Sequence, residues 1–375
     1  MIKKILILLT IITLGGAGFI YIKYKNTIAT VYPYPYFVKY ELPKEVNEIE
    51  NADVLIVGDA LGVSLNRFLP EIISTLSKNL RTELKIYNWS ESEAALHRTL
   101  IKLRKLKKTP PIVIYIGSTQ EFLEKRLMVA DRKVYDANLA LFEDERFSSA
   151  IMSFPILSKF IYQKPSKYFI LDDKVVPFNR AKTSFISQTR AEYIYKYYQL
   201  QLKQLTSLMR ERGSTLIAVT TPINLEVAPR LVCDNAETNT IMIEQNDIEK
   251  LLKSGKSKEA LKRSKALVAN STGNARTYYQ LGRAYLLEGD LSKAKENLSL
   301  ASAFDCENWR SNPIFNKILT KHFQENGHRI IDFANIVESG LGRDITFKDD
   351  IYAQDVYYQK LSKEFISTIK TILKI

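Results

Sequence analysis

Residues 54–64 read VLIVGDALGVS. Four apolar residues, Val54 to Val57, run into Gly58-Asp59-Ala60, and a second glycine follows at Gly62. An apolar run closed by a tight turn is the pattern of a parallel strand buried on both faces and followed by a helix. In open α/β sheets, ligands bind where the carboxyl ends of the strands meet such turns. The turn therefore falls where chemistry is expected, yet its central side chain, Ala60, can do none.

The rest of the body repeats this alternation. Strands are expected at Val54–Val57, Leu84–Tyr87, Ile112–Ile116, Thr215–Thr220 and Arg329–Phe333. Helical patterns cover Leu61–Leu80, Glu91–Leu106, Arg190–Arg212 (with Gly213 as the stop) and Asp355–Leu373. Alternating strands and helices imply a parallel sheet with helices on both faces. The chain has 375 residues, 46% of them hydrophobic and 25% charged, a globular balance that allows a sizeable core.

Residues 5–22, ILILLTIITLGGAGFIYI, carry no charge and suffice to cross a bilayer as a helix. Lys3 and Lys4 precede the run, Lys23 and Lys25 follow it, and no clean small-x-small cleavage site comes directly after it. Residues 1–25 read as an uncleaved signal anchor, single-pass in the cytoplasmic membrane, with the body on the outer, periplasmic side. A cleaved signal peptide is the alternative. Residues 26–50 form a linker whose VYPYPYF stretch, at 31–37, is stiffened by Pro33 and Pro35 and carries tyrosines suited to a membrane–water interface.

Two segments interrupt the α/β pattern. Residues 122–188 follow the third strand, are rich in Phe, Tyr and Lys, and read as a cap or binding element. Residues 239–309 have an internal period. Leu251, Gly255 and Ala260 recur as Tyr285, Gly289 and Ala294, each 34 residues on, and Tyr278, Leu281, Gly282, Leu298 and Ala301 fit the packing positions of a tetratricopeptide repeat. A generic helical hairpin is the plainer reading. Two repeats are too few to stand alone, so the pair is expected to pack on the main domain, whose first part is 51–238 and whose last is 310–375. Cys233 and Cys306 flank the insertion; they form either a disulfide at its base or two buried thiols.

The order of parts resembles the SGNH, or GDSL, hydrolases. The blocks that carry the resemblance are Gly58-Asp59-Ala60 after the first strand, IVIYIGSTQEF at the third, and FKDDIYAQDVYYQKLS before the last helix. The resemblance spans roughly residues 50–375 and implies a flavodoxin-like three-layer α/β domain, a serine nucleophile, a histidine base oriented by aspartate, and oxyanion donors from a glycine N–H and an asparagine. Membrane-anchored, repeat-bearing members exist. Here the nucleophile position is Ala60. The second block offers Asn88, Trp89 and Ser90 and no glycine. In the third block Gly117 is present, but Ser118, Thr119 or Gln120 stands for the asparagine. In the last, Asp349 matches the aspartate, and Tyr352 stands where the histidine should be. A phenol titrating near pH 10 is a poor base at neutral pH. The three histidines, His97, His322 and His328, fall elsewhere in the pattern.

The expectation is a degenerate hydrolase: an envelope binding or assembly factor of a bacterium. Its groove at Asp59, Ala60, Asn88, Gly117, Ser118, Gln120, Asp349 and Tyr352 would hold an acyl or glycan group without turning it over. A protein partner would dock on the repeats or on residues 122–188. The alternatives are an active esterase or acyltransferase using Ser64 or Ser118, and an unrelated anchored α/β domain. No cofactor and no metal site are expected, since no clustered ligand spacing occurs. The net charge of +13 suits anionic lipid or wall polymer, or only solvated helix faces. No motif supports nucleic acid.

Overall fold

The computed structural model describes residues 3–4, 10, 12–19, 36–38, 42–78, 84–92, 94–122, 169–171, 188–233, 238–307 and 310–374. Most of the expected membrane span, of the linker and of the 122–188 segment lies outside them. Among the described residues no helix is long and apolar enough to cross a membrane.

The strands are β1 (Tyr36–Val38), β2 (Val54–Gly58), β3 (Ile86–Asn88), β4 (Ile112–Ile116), β5 (Phe169–Leu171), β6 (Thr215–Val219) and β7 (Arg329–Ile331). The helices, in chain order, are α1 (Val46–Glu50), α2 (Ala60–Ser64), α3 (Leu69–Ser77), α4 (Leu96–Lys105), α5 (Gln188–Glu211), α6 (Asn239–Lys253), α7 (Ser257–Asn270), α8 (Ala275–Leu287), α9 (Leu291–Ala303), α10 (Pro313–Glu325), α11 (Phe333–Glu338) and α12 (Asp355–Leu373). Five strands form one parallel sheet in the order β3-β2-β4-β6-β7, while β1 and β5 pair separately. The strand order reverses direction at β2, so the crevice between the carboxyl ends of β2 and β4 is the topological switch point.

The apolar runs of β2, β4 and β6 are buried on both faces, and alternate residues serve opposite layers. Leu55, Val57, Val113, Tyr115, Leu216 and Ala218 face α1, α4, α5 and α10. Val54, Ile56, Ile112, Ile114, Ile217 and Val219 face α3, α11 and α12. This is a three-layer α/β domain with a central parallel sheet, as expected.

The expected boundaries shift for local reasons. The single helix over Leu61–Leu80 is instead α2, a 3-10 turn at Leu65–Phe68, and α3, which restarts with Pro70 in its first turn, where a missing N–H costs least. The helix expected from Glu91 begins at Leu96, because Glu91 N–H still bonds the Gly58 carbonyl, extending the β2–β3 contact. The end of the fifth expected strand, Phe333, lies in α11, whose first turn is capped by Asp332.

Four helices, α6 to α9, fill the insertion between β6 and α10 as two successive hairpins. Gly282 lets α8 and α9 close up: a Cβ there would come within 2.6 Å of Leu298. Cys233 and Cys306 are disulfide-bonded with their Cα atoms 5.2 Å apart, beside the Val232–Asp305 bridge, so the insertion is stapled at its base. The loop after β6 lies across α8: Ile223 and Leu225 pack with Tyr279 and Leu286, and the Tyr279 hydroxyl donates to the Glu226 carbonyl at 2.6 Å. One stripe of α8 is thus covered by the chain itself.

Candidate functional site

Three turns meet at the carboxyl end of the sheet. The first follows β2. Gly58 sits at φ +145°, and a Cβ there would lie 1.7 Å from the Ile116 carbonyl oxygen. The position admits only glycine, and this close approach ties the β2 exit to the β4 exit; Asp59 N–H bonds the same carbonyl at 3.1 Å.

Asp59 is fully buried and makes three hydrogen bonds. Its Oδ1 accepts from Leu61 N–H at 3.0 Å, capping α2, and its Oδ2 accepts from Thr119 N–H at 2.8 Å and from the Thr119 hydroxyl at 2.6 Å. Burial pushes its carboxyl up to about 6, helped by Glu121 and opposed by the Thr119 and Leu61 bonds. Asp59 therefore clamps the second turn to the first. Ala60, next in line, is buried at the start of α2. The Ser64 hydroxyl, one turn on, donates to the Ala60 carbonyl at 3.0 Å.

The second turn follows β4 and carries backbone strain. Ser118 lies at φ +113°, a conformation that costs a non-glycine residue about 1–3 kcal/mol and needs surrounding contacts to hold it. Those contacts are hydroxyls: Ser118 Oγ lies 2.9 Å from Thr221 Oγ1 and 3.1 Å from Ser311 Oγ. Thr221 donates to the Gly117 carbonyl at 2.6 Å, and Ser311 to the Ser118 carbonyl at 3.0 Å. Gln120 turns its amide to the Thr119 hydroxyl at 3.1 Å. Buried Glu121 accepts Leu96 N–H at 2.7 Å and so starts α4.

Asn88, at the β3 exit, donates to the Gly62 carbonyl at 2.7 Å and to Asn66 at 2.8 Å, while its own oxygen accepts Ser90 N–H. A Cβ on Gly62 would meet Ser90 Oγ at 2.1 Å, so the second glycine of the opening stretch makes room for this turn. Trp89 is buried in the opposite layer, with the Lys102 ammonium 4.6 Å from its ring centre. It packs the core and does not plug the crevice.

The third turn precedes α12 and is built differently. Asp349 Oδ1 accepts from Ile351 N–H at 2.7 Å and Tyr352 N–H at 2.8 Å, and both ends of the turn are exposed or half-buried. Asp349 thus folds its own loop; no contact of its carboxylate with a histidine occurs among the described residues. Tyr352 lies near Tyr358, whose phenol burial holds well above the usual value, with Ser64, Asp59 and Arg67 in the same neighbourhood. The Arg67–Asp355 ion pair at 2.8 Å and the Phe68–Tyr358 stack join α12 to the turn after β2. Ala60, Gly117 and the Asp349–Tyr352 turn accordingly share one end of the fold.

The histidines divide. His322 and His328 sit at the amino end of β7, where burial lowers His322 to about 4 and also lowers His328. His97 is buried in the first turn of α4, closer to the carboxyl end than its helical pattern implied. The hydroxyls of Ser64 and Ser118 nevertheless go to a carbonyl and to other hydroxyls, so neither serine contacts a base. Thr221, Ser311 and Tyr358 escaped the sequence reading. For Thr221 a signal existed, since it follows a strand exit.

Compared with known proteins, the sequence matches no family model and no curated relative. Among solved structures the chain is similar to a proposed acylhydrolase from Bacteroides fragilis, at 9% identity over 88% of this chain and 94% of that one, with a TM-score of 0.39. It is also similar to a GDSL-like lipase from Bacteroides thetaiotaomicron, at 10% identity over 88% and 93%, TM-score 0.35. A lipase/acylhydrolase from Enterococcus faecalis gives 9% identity over 85% and 95%, TM-score 0.35. Likenesses this distant decide nothing about the site. The class that the chain's own geometry defines is an open parallel α/β domain whose strand order switches between β2 and β4.

Proposed function

We propose that this chain is a membrane-anchored, extracytoplasmic SGNH hydrolase-like protein that has lost ester chemistry and serves as a binding or assembly factor in the bacterial envelope. One observation carries the reading. The turn after β2 is clamped to the turn after β4 by Asp59 and Thr119, and the residue that follows Asp59, where the resemblance would put a nucleophile, is a methyl group, Ala60. Covalent acyl transfer needs a nucleophile and a base within hydrogen-bond reach of each other. Ala60 supplies no attacking atom, and the two nearby serines have no base.

The buried framework around the vacant position is intact: Asp59 caps and clamps, and Ser118 is held strained. A strained, hydroxyl-lined turn is also the feature that favours the second reading, an esterase using Ser118 or Ser64. The repeat-like hairpins and residues 122–188 are the surfaces on which an assembly partner would sit, and an acyl or glycan group is the ligand class the crevice would take. Hydrolysis of short-chain nitrophenyl esters by the full chain separates the two readings. The binding reading expects turnover no faster than buffer. Turnover that disappears in Ser64→Ala or Ser118→Ala would establish the esterase.

A further inference from the structure

The two ends of the sheet differ in charge, and the difference bears on how the body sits over a membrane. Helices α3, α4, α5 and α12 all return from the carboxyl end of the sheet and finish at its amino end. They deliver exposed cations there: Lys78 after α3, Lys105, Lys107 and Lys108 at and after α4, and Arg210 in the last turn of α5. Lys85 precedes β3, and Lys374 closes α12. Of the acids at this end, Glu50 accepts Lys107 N–H at 2.5 Å and Asp53 accepts Lys85 N–H at 2.8 Å; Glu211 and Glu325 are exposed, the latter 3.9 Å from Lys321. Glu45 and Glu48 lie beside Tyr87, up the flank of the sheet. The carboxyl end carries acids and cations in pairs, Glu307 and Asp350 with Arg230 and Asp355 with Arg67 and Lys348, beside the exposed Asp349.

The chain's connection to its N-terminal segment is at the basic end. The chain from Leu42 leads through α1 (Val46–Glu50) to the first residue of β2, with Ile49 buried in the same cluster as Leu103 and Leu106 of the α4 end. Residues 23–41, between the expected span and Leu42, reach at most about 60 Å when extended. That length permits any orientation, so the tether alone selects none. Charge does. Cations within a Debye length of an anionic leaflet each favour docking, and several on one face act together.

We propose that the amino end of the sheet, centred on Lys105, Lys107 and Lys108, docks on the anionic headgroups of the bilayer that holds residues 5–22, and that the crevice at the carboxyl end points away from it. The proposal rests on the membrane-anchored reading. A sheet of five-residue strands spans about 17 Å, so the crevice opens beyond the headgroup layer. It would then meet envelope material outside the bilayer in preference to lipid within it. Cations at helix carboxyl ends also complement the helix dipoles, a role that needs no membrane; the experiment separates the two.

The full chain is reconstituted in nanodiscs of phosphatidylcholine alone, or with about 30% phosphatidylglycerol, and retention after an alkaline wash reports insertion. A fluorophore is placed at Lys108→Cys or at Ile345→Cys, the latter 79% exposed near the carboxyl end. Quenching by a headgroup-linked quencher then reports proximity. The expected result is strong quenching at 108 and little at 345, only in anionic discs, and reversed by salt. Charge neutralisation, Lys105→Gln with Lys107→Gln, should weaken the docking equilibrium about 10- to 100-fold without loss of insertion. Equal quenching at the two sites, or none that depends on anionic lipid in an inserted chain, would overturn the docking alone. A chain removed by the alkaline wash would overturn the docking and the anchor together.

Discussion

The turns after β2 and β4 and the turn before α12 occupy the same end of the molecule, yet they are held by different means. The first pair is buried and mutually dependent: Gly58 lies against Ile116, Asp59 spans to Thr119, and Ser118 is strained against Thr221 and Ser311. The third is an exposed loop that folds on itself through Asp349. Only the buried pair has a second task, joining the central strands. A carboxylate that caps a helix and clamps a neighbouring turn persists without catalysis. A base on an exposed turn has no such reason to persist.

This contrast can be broken by substitution. The largest effect is expected at Gly58→Ala, where a methyl would overlap a backbone carbonyl that cannot move without parting β2 from β4. The loss should exceed about 4 kcal/mol, read as failure to give a cooperative unfolding transition. A stable Gly58→Ala protein would mean that the two turns are not locked together.

Asp59→Asn should come next and should also change the pH dependence. In the folded chain burial holds this acid's carboxyl up at about 6, against its ordinary 3.8, so the folded state holds the proton more tightly. Its contribution to stability is fullest below the unfolded value and is lost as pH rises through 6. The swing is about 3 kcal/mol at most. Denaturant midpoints measured from pH 4 to 7 should therefore fall in the wild type from this group and flatten in Asp59→Asn. An unchanged slope would remove Asp59 from the buried clamp.

At the exposed turn the effects should be small. Asp349→Ala frees two N–H groups to water and should lower Tm by about 2–4 °C, and Tyr352→Phe should do less. A larger loss at either position would show that this turn supports the body as the buried pair does.

How much of this could be read in the sequence follows the same division. Uninterrupted apolar runs ending in glycine marked β2 and β4, because strands buried on both faces tolerate nothing else. The 34-residue period marked two helical hairpins, and two flanking cysteines marked their staple. What the sequence hid was contact between distant segments. Thr221 and Ser311 reach Ser118 only through the fold, and although Thr221 follows a strand exit, nothing local pairs either residue with Ser118. Glu121 reads as an ordinary acid until Leu96 N–H is seen to need an acceptor. The Ile223–Glu226 loop lies across the repeat-like helices for a reason no periodicity contains. Helix starts moved wherever a distant side chain or a proline set them, as at Leu96 and Leu69.

On the proposed reading, the turns after β2 and β4 kept their buried clamp while the chain lost a nucleophile beside it. Covalent capture tests it most directly. The full chain is incubated with an alkyl fluorophosphonate, digested, and searched by mass spectrometry for modified serine. The account predicts no adduct at Ser64 or Ser118 above the level in unfolded protein. A stoichiometric adduct at either serine, formed only by the folded chain, would contradict it.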